Sequence, residues 1–186
     1  MKSLLAAVGW TLLTLAAGAA ARAAGEEKEA PDAPKEQSVV PYDSKTHGAL
    51  RVTGIGKQAG DYFEVLRDGK PAYPGSPPLL NNTLELAPGT YVVDVNRTRR
   101  GVTIEAGRKT VLRTGELVVE GAPATAYWYP VRGKERKLAS NPPLLNRGRA
   151  LFPGTYTVFV HVDVTTGDKN LGTASVKPGR RTVLKH

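Results

Sequence analysis

The stretch Ala87-Pro88-Gly89-Thr90-Tyr91-Val92-Val93-Asp94-Val95 returns almost unchanged as Phe152-Pro153-Gly154-Thr155-Tyr156-Thr157-Val158-Phe159-Val160. In each copy a Pro-Gly turn precedes a run in which every second residue is apolar, beginning at Tyr91 and at Tyr156. Alternation with a period of two is typical of a β-strand that buries one face. The chain is therefore predicted to contain the same strand twice, with these alternate residues in the core.

The duplication extends well beyond this strand. At an offset of 65 residues, Pro77-Pro78-Leu79-Leu80-Asn81 matches Pro142-Pro143-Leu144-Leu145-Asn146. The ends of the copies align at an offset of 72, where Gly107-Arg108-Lys109-Thr110-Val111-Leu112 matches Gly179-Arg180-Arg181-Thr182-Val183-Leu184. Short apolar runs separated by Gly and Pro turns predict about six or seven strands in each copy. We therefore predict an all-β fold of two tandem, small antiparallel β-sandwiches, residues 48–114 and 115–186.

The two predicted sandwiches follow each other without a linker, since Thr114 is followed directly by Gly115. A domain of about 60 residues buries only about 60% of the surface of its unfolded chain and is marginally stable alone. The sequence contains no cysteine, so no disulfide stabilises either copy. We therefore expect the two units to pack against each other.

The N-terminal residues have the features of an export signal. Lys2 is followed by an uncharged, mostly apolar stretch from Leu4 to Ala21, and Ala21-Arg22-Ala23 provides the small residues typical of a cleavage site before Ala24. Residues 1–23 are predicted to be a cleaved signal peptide of a periplasmic, secreted or cell-surface protein. The alternative is an uncleaved membrane anchor. Residues 24–47 are charged and bear prolines, which predicts a disordered linker.

The charge of the chain indicates the class of partner. The net charge is +9, and a positive field attracts anions. Because an exported protein does not meet cytoplasmic nucleic acid, an anionic envelope polymer or an envelope protein is the expected partner. The candidate anion-binding residues are Arg97, Arg99, Arg100, Arg108, Lys109, Arg180 and Arg181. The alternative is that these residues only form a solvated face.

The group Tyr127-Trp128-Tyr129 is the densest aromatic cluster after the predicted signal peptide. Alternation along a strand would turn either Trp128 or the two tyrosines outward, where a flat ring stacks well on a sugar. The three residues are therefore candidate ligand-stacking residues. The alternative is that they fill the core, because Phe63 occupies the position of Trp128 in the first copy.

The sequence offers little for catalysis or metal binding. It has three histidines, and the absence of cysteine excludes thiol catalysis and Cys-ligated zinc. His161 and Asp163 lie two residues apart on one face of a predicted strand, which is compatible with a base and its orienting group or with two metal ligands. The alternative is that Phe159, His161 and Asp163 are simply exposed. We expect no catalytic residue, no metal site and no cofactor.

The first copy resembles the PEGA domain, a small bacterial β-sandwich that is repeated in exported and surface proteins. The resemblance rests on Leu50-Arg51-Val52, Val65-Leu66-Arg67-Asp68-Gly69-Lys70-Pro71, Leu84-Glu85-Leu86-Ala87-Pro88-Gly89-Thr90-Tyr91 and Ile104-Glu105-Ala106-Gly107-Arg108. The second copy keeps the Pro-Gly-Thr-Tyr strand but lacks the Asp-Gly-Lys turn. Transthyretin-like and carboxypeptidase-regulatory-like sandwiches also contain Pro-Gly-Thr-Tyr turns and are the alternative relatives.

The resemblance implies attachment, spacing or recognition rather than a reaction. The sequence therefore leads us to expect a non-catalytic interaction or structural module of the cell envelope. A binder of carbohydrate or cell-wall polymer is the alternative, and an enzyme is the third.

Overall fold

The computed structural model describes residues 35–55, 61–121, 123, 125–133, 142–162 and 167–186. These residues form fourteen β-strands. The prediction of an all-β fold with two small sandwiches is confirmed. The predicted signal peptide and its cleavage site at Ala23 and Ala24 lie outside the described residues. Within the described ranges, no helix has the length and apolar character that crossing a membrane requires.

The first unit places two sheets face to face. Its strands are β2 (Gly48–Thr53), β3 (Glu64–Arg67), β4 (Lys70–Pro71), β5 (Thr83–Leu86), β6 (Gly89–Val95), β7 (Thr98–Ile104) and β8 (Arg108–Arg113). One sheet has the order β1-β8-β2-β5, where β1 is the preceding strand Gln37–Pro41, and the other has the order β4-β3-β6-β7. Strands β2 and β8 are parallel, whereas we predicted purely antiparallel sheets. The reason is that β2 and β8, the first and last strands of the unit, lie side by side in one sheet, while most of the strands between them form the opposite sheet.

The second unit repeats this topology. Its strands are β9 (Gly115–Glu120), β10 (Tyr127–Val131), β11 (Gly148–Leu151), β12 (Gly154–His161), β13 (Asp168–Val176) and β14 (Arg181–Lys185). The sheets have the orders β11-β9-β14 and β10-β12-β13, and β9 and β14 are parallel. Strands β9, β11 and β14 therefore correspond to β2, β5 and β8.

The repeated Pro-Gly-Thr-Tyr sequence forms the same local structure in both copies. Gly89 and Gly154 have φ values of 152° and 154°, a region that favours glycine. The hydroxyl of Tyr91 donates to the carbonyl of Ala87 at 2.7 Å. The hydroxyl of Tyr156 donates to the carbonyl of Phe152 at 2.5 Å. Each tyrosine hydroxyl is therefore hydrogen-bonded to the residue before the Pro-Gly turn, and this bond fixes where the strand begins.

The residues predicted from the alternation do form the core. Tyr91, Val93 and Val95 are buried in the first unit. Tyr156, Val158 and Val160 are buried in the second, and Val162 packs against them with partial exposure. Val164 lies outside the described residues.

The predicted disordered linker is wrong for residues 37–41, which form strand β1. This strand pairs antiparallel with β8, with Val39 opposite Thr110 and Pro41 opposite Arg108. Val39 and Val40 are 49% and 37% exposed, so backbone hydrogen bonds rather than buried side chains hold the strand. A composition argument based on apolar burial does not detect such a strand. Residues 24–34 lie outside the described residues.

The two units share a core, as the absence of a linker predicts. Ala150 and Phe152, from the second unit, are 1% and 0% exposed and belong to the apolar cluster of the first. Thr114, the junction residue, is buried; it donates its hydroxyl and its N–H to the carbonyl of Thr53 in the first unit and accepts from the N–H of Gly179 in the second, each at 2.9 Å. The described residues after Asp32 accordingly form one compact unit.

Burial of Tyr156 leads to a pH-dependent prediction. Burial raises the pKa of the Tyr156 phenol above its ordinary value of 10.0, and the nearby Arg132 opposes this rise. Because the folded-state pKa exceeds the unfolded one, the stabilisation is complete below pH 10.0 and is lost as the pH rises through the folded pKa. We expect the free energy of unfolding to fall above pH 10 by up to about 1.4 kcal/mol per pH unit from this group.

The measurement is urea denaturation from about pH 8 to 11, comparing the wild type with Tyr156→Phe. The variant lacks the titrating group and should lose less stability over this range. Tyr62→Phe, at an exposed position, is the control and should follow the wild type. Parallel profiles for the wild type and Tyr156→Phe would contradict the prediction.

Candidate functional site

An open groove of about 600 Å³ lies on the first unit beside strand β5 and the β3–β4 hairpin. We call it the β5 groove. Its lining includes His47, Arg67, Lys70, Glu85, Leu86 and Tyr91. Strand β5 is the edge of its sheet, so its outer backbone groups are available next to the groove.

The side chains of the β5 groove carry both signs of charge. The guanidinium of Arg67 lies over the ring of Tyr91, with its Cζ 5.7 Å from the ring centre. His47 Nδ1 is 3.7 Å from Glu85 Oε1, and both side chains are about half exposed. An exposed pair of this kind contributes little stability. The groove therefore presents the Arg67 guanidinium, which lies over the buried ring of Tyr91, beside polar groups that can exchange partners.

In the second unit, the edge of β11, the strand equivalent to β5, is occupied by the first unit. Asp61 Oδ1 is 3.1 Å from Arg149 Nη1, and Asp61 Oδ2 accepts from the N–H of Ala150 at 3.1 Å. Asn96 donates its side-chain amide to the carbonyl of Ala150 at 2.9 Å. Thr98 Oγ1 accepts from the N–H of Phe152 at 3.0 Å. Side chains of the first unit therefore satisfy both backbone groups of Ala150 on β11 and the N–H of Phe152, which follows the strand.

The offset of 65 residues allows a direct comparison of the two surfaces. Ala150 and Phe152 are buried in the contact between the units, whereas the equivalent residues Glu85 and Ala87 are exposed. Arg132 lies over Tyr156 at 5.9 Å from its ring centre, as Arg67 lies over Tyr91. The edge of β5 beside the groove is therefore open, whereas the equivalent edge of β11 binds the first unit.

The predicted anion-binding residues are distributed over several strands, and in the described part of the chain Arg99, Arg100 and Arg181 are seen in ion pairs. Arg99 Nε lies 2.9 Å from Asp94 Oδ2. Arg100 Nη2 lies 3.0 Å from Glu36 Oε2. Arg181 Nε lies 3.7 Å from Glu116 Oε2. Arg97 is in the β6–β7 turn, Arg108 and Lys109 begin β8, and Arg180 precedes β14.

The predicted stacking residues are mostly unavailable to a ligand. Trp128 is 0% exposed, and its indole N–H donates to the carbonyl of Arg147 at 3.2 Å. Tyr129 is 3% exposed and stacks on Phe159 with the ring centres 5.5 Å apart. The prediction that these two rings contact a ligand is therefore wrong, because packing covers both. Tyr127 keeps partial exposure.

The structure pairs His161 with Asp168, whereas the sequence pattern indicates Asp163 as its neighbour. Its Nδ1 is 2.9 Å from Asp168 Oδ1, and its ring stacks on Tyr127 with the centres 4.7 Å apart. Asp168 Oδ2 also accepts from the hydroxyl of Tyr129 at 2.5 Å. Asp163 lies outside the described residues. Phe159 is 4% exposed, so the expectation that it is exposed is wrong. In the part of the chain that the structure describes, no three His, Asp or Glu side chains are grouped to hold a metal ion.

Sequence analysis missed Asp61, Asn96 and Thr98, which hold the two units together. The available signal was the difference between the copies. Asp61 stands where the second copy has Ala126, and Arg149 stands where the first has Leu84. In this chain, the two polar residues that replace apolar ones at these matching positions meet in the contact between the units.

Comparison with known proteins gives little guidance. No protein-family model and no curated protein matches the sequence. Among solved structures, the Bacillus anthracis TIE protein is similar at 18% identity with a TM-score of 0.26. The match covers 76% of this chain and 33% of that chain, so this chain spans about a third of its length. A similarity at this level indicates nothing about activity or partners.

Proposed function

We propose that this chain is an exported, non-catalytic interaction module of the bacterial cell envelope, built from two PEGA-like sandwiches, that binds a protein partner at the β5 groove. The observation that carries the proposal is the contact between the units. The same chain docks a protein surface on β11 and leaves the equivalent surface on β5 open.

The chemistry of the β5 groove favours a protein over a polyanion. Arg67 and Lys70 are accompanied by Asp68 and Glu85, so an approaching polyanion meets carboxylates as well as cations. Arginine is one of the residue types that dominate protein interfaces, and Arg67 is exposed in the groove. The edge of β5 adds backbone donors and acceptors that a polypeptide satisfies well.

The anionic-polymer alternative rests on the basic residues, of which Arg99, Arg100 and Arg181 already pair with carboxylates of the chain. The carbohydrate alternative now rests on Tyr127. One face of its ring is covered by His161, which leaves only the other face for a sugar. Binding of an anionic polymer and binding of a carbohydrate would each give a different result from binding of a protein in the experiment that follows.

The test is photo-crosslinking in the native envelope. A crosslinking residue at Glu85, on the exposed edge of β5, is expected to capture a discrete polypeptide. The same residue at the exposed Glu105 is the matched control and should capture none. Combining Glu85 crosslinking with Arg67→Ala should lower capture about tenfold or more, as truncation of an interface arginine does. Arg108→Ala should not.

Two results would contradict the proposal. One is binding to a purified anionic wall polymer that falls steeply with salt while position 85 captures no protein. The other is salt-insensitive binding to a wall carbohydrate that Tyr127→Ala abolishes and Arg67→Ala leaves intact.

A further inference from the structure

Strand β14 has an open edge at the place where β8 has a partner. In the described part of the chain, β14 pairs with β9 on one side only. Its counterpart β8 pairs with β2 on one side and with β1 on the other. The two edges have nearly the same sequence, Arg108-Lys109-Thr110-Val111-Leu112-Arg113 and Arg180-Arg181-Thr182-Val183-Leu184-Lys185.

The outward backbone groups of β14 follow from the hydrogen bonds on its inner side. Arg180 accepts from the N–H of Glu116, and His186 donates to the carbonyl of Glu120. Because the backbone groups of successive residues in a strand point to opposite sides, the even-numbered residues face β9. The N–H and C=O groups of Arg181, Val183 and Lys185 therefore point outward. The equivalent residues of β8 face β1, as shown by the N–H of Arg113, which donates to Glu36 at 2.8 Å.

The side chains of β14 are also less buried than those of β8. Thr110 and Leu112 are 1% and 0% exposed, whereas the equivalent Thr182 and Leu184 keep partial exposure. Val183 is 43% exposed. An edge with unpaired backbone groups and a half-exposed apolar residue is a template for an added strand.

We propose that β14 binds an extended segment of a partner protein, antiparallel and in the register in which β1 binds β8. The segment would place a small or polar residue opposite Val183, as β1 places Ser38 opposite Val111. The residue opposite Lys185 would have the place that Glu36 has opposite Arg113, and a carboxylate there would suit the cations of β14, Arg181 and Lys185. The chemistry is therefore that of a short, extended, weakly acidic peptide.

A partner protein fits this edge better than a second copy of the chain. If β1 of one copy moved to β14 of another, it would leave its own β8, and the number of paired edges would not change. The exchange would therefore gain no backbone hydrogen bonds and would lose the entropy of association. The β14 edge contains none of the residues that line the β5 groove. The experiment on β14 can therefore fail while the crosslinking at the β5 groove succeeds, and the reverse.

The experiment titrates the full chain with a peptide of its own residues 35–43, Lys-Glu-Gln-Ser-Val-Val-Pro-Tyr-Asp. Amide hydrogen exchange is the readout. We expect saturable slowing of exchange at Val183 and Lys185, whose N–H groups would be newly bonded, with no change at β8. Val183→Pro removes one outward N–H, a change that edge strands tolerate, and should weaken binding about tenfold or more. Val183→Ala is the control and should bind.

Modified peptides test the same register without altering the protein. Glu36 and Tyr42 flank β1, and Glu36 accepts from the N–H of Arg113 while Tyr42 donates to the carbonyl of Gly107, just before β8. The even-numbered residues of β1 therefore face β8. N-methylation at Ser38 and Val40 should therefore abolish binding, whereas N-methylation at Gln37 and Val39 should preserve it. The proposal is overturned if the peptide does not bind, or if it slows exchange only at β8. It is also overturned if both modified peptides bind equally, or if the chain without peptide self-associates through Val183.

Discussion

Replacing Trp128 by alanine will lower the free energy of unfolding by about 3 to 5 kcal/mol. Trp128 is fully buried in the core of the second unit and also donates a hydrogen bond to the carbonyl of Arg147. The substitution leaves a large cavity and an unpaired carbonyl, and the whole stability of a small protein is only about 5 to 15 kcal/mol. Urea denaturation followed by circular dichroism measures the change.

Two variants show whether the loss has the expected cause. Phe63, the equivalent residue of the first unit, is also 0% exposed, so Phe63→Ala should cost a similar amount. Because the units share a core, Trp128→Ala and Phe63→Ala should each shift a single unfolding transition of the whole protein rather than split it in two. Tyr127→Ala, on the neighbouring half-buried position, should cost clearly less. A loss below about 1 kcal/mol for Trp128→Ala would show that the residue is not packed as described.

Replacing Asp61 by alanine will destabilise the protein by about 3 kcal/mol, the lower end of the range for a broken buried ion pair. The Asp61 side chain is 6% exposed and that of Arg149 is 24% exposed, so the arginine regains some hydration. The change also leaves the N–H of Ala150 without its acceptor. Glu105→Ala, at an exposed turn, is the control and should change stability by less than about 0.5 kcal/mol.

A double-mutant cycle separates the ion pair from the rest of the contact. Asp61→Ala combined with Arg149→Leu, the residue found in the first copy, should recover part of the loss. A leucine leaves no buried charge unpaired, and removing both partners of a buried pair is often close to neutral. Purely additive losses would show that the two side chains are not coupled and would contradict the described junction.

The open and filled surfaces of this chain have a common explanation in its duplication. Each unit has one edge, β5 or β11, that another sandwich can cap, and one edge, β8 or β14, that an added strand can pair with. Within the chain, β11 is capped by the first unit and β8 is paired with β1. The remaining two edges are the surfaces at which we place the partners.

The sequence by itself determined the fold class, the duplication and the core. The alternation after Pro-Gly in each copy predicts strands β6 and β12, and a strand that buries one face must place Tyr91 and Tyr156 inside. The offsets of 65 and 72 residues predict that the two units share one topology. These features depend on local periodicity, which one stretch of sequence contains completely.

Only the tertiary structure decided how the edges and the polar residues are used. Strand β1 is held by backbone hydrogen bonds to β8, and such bonds carry almost no side-chain signature. Trp128 and Tyr129, on opposite faces of β10, are both buried because a second apolar cluster with Phe159 covers the outer face. Asp61 meets Arg149 across 88 residues of sequence. Contacts between residues so far apart depend on where both units place their strands, which no local pattern specifies.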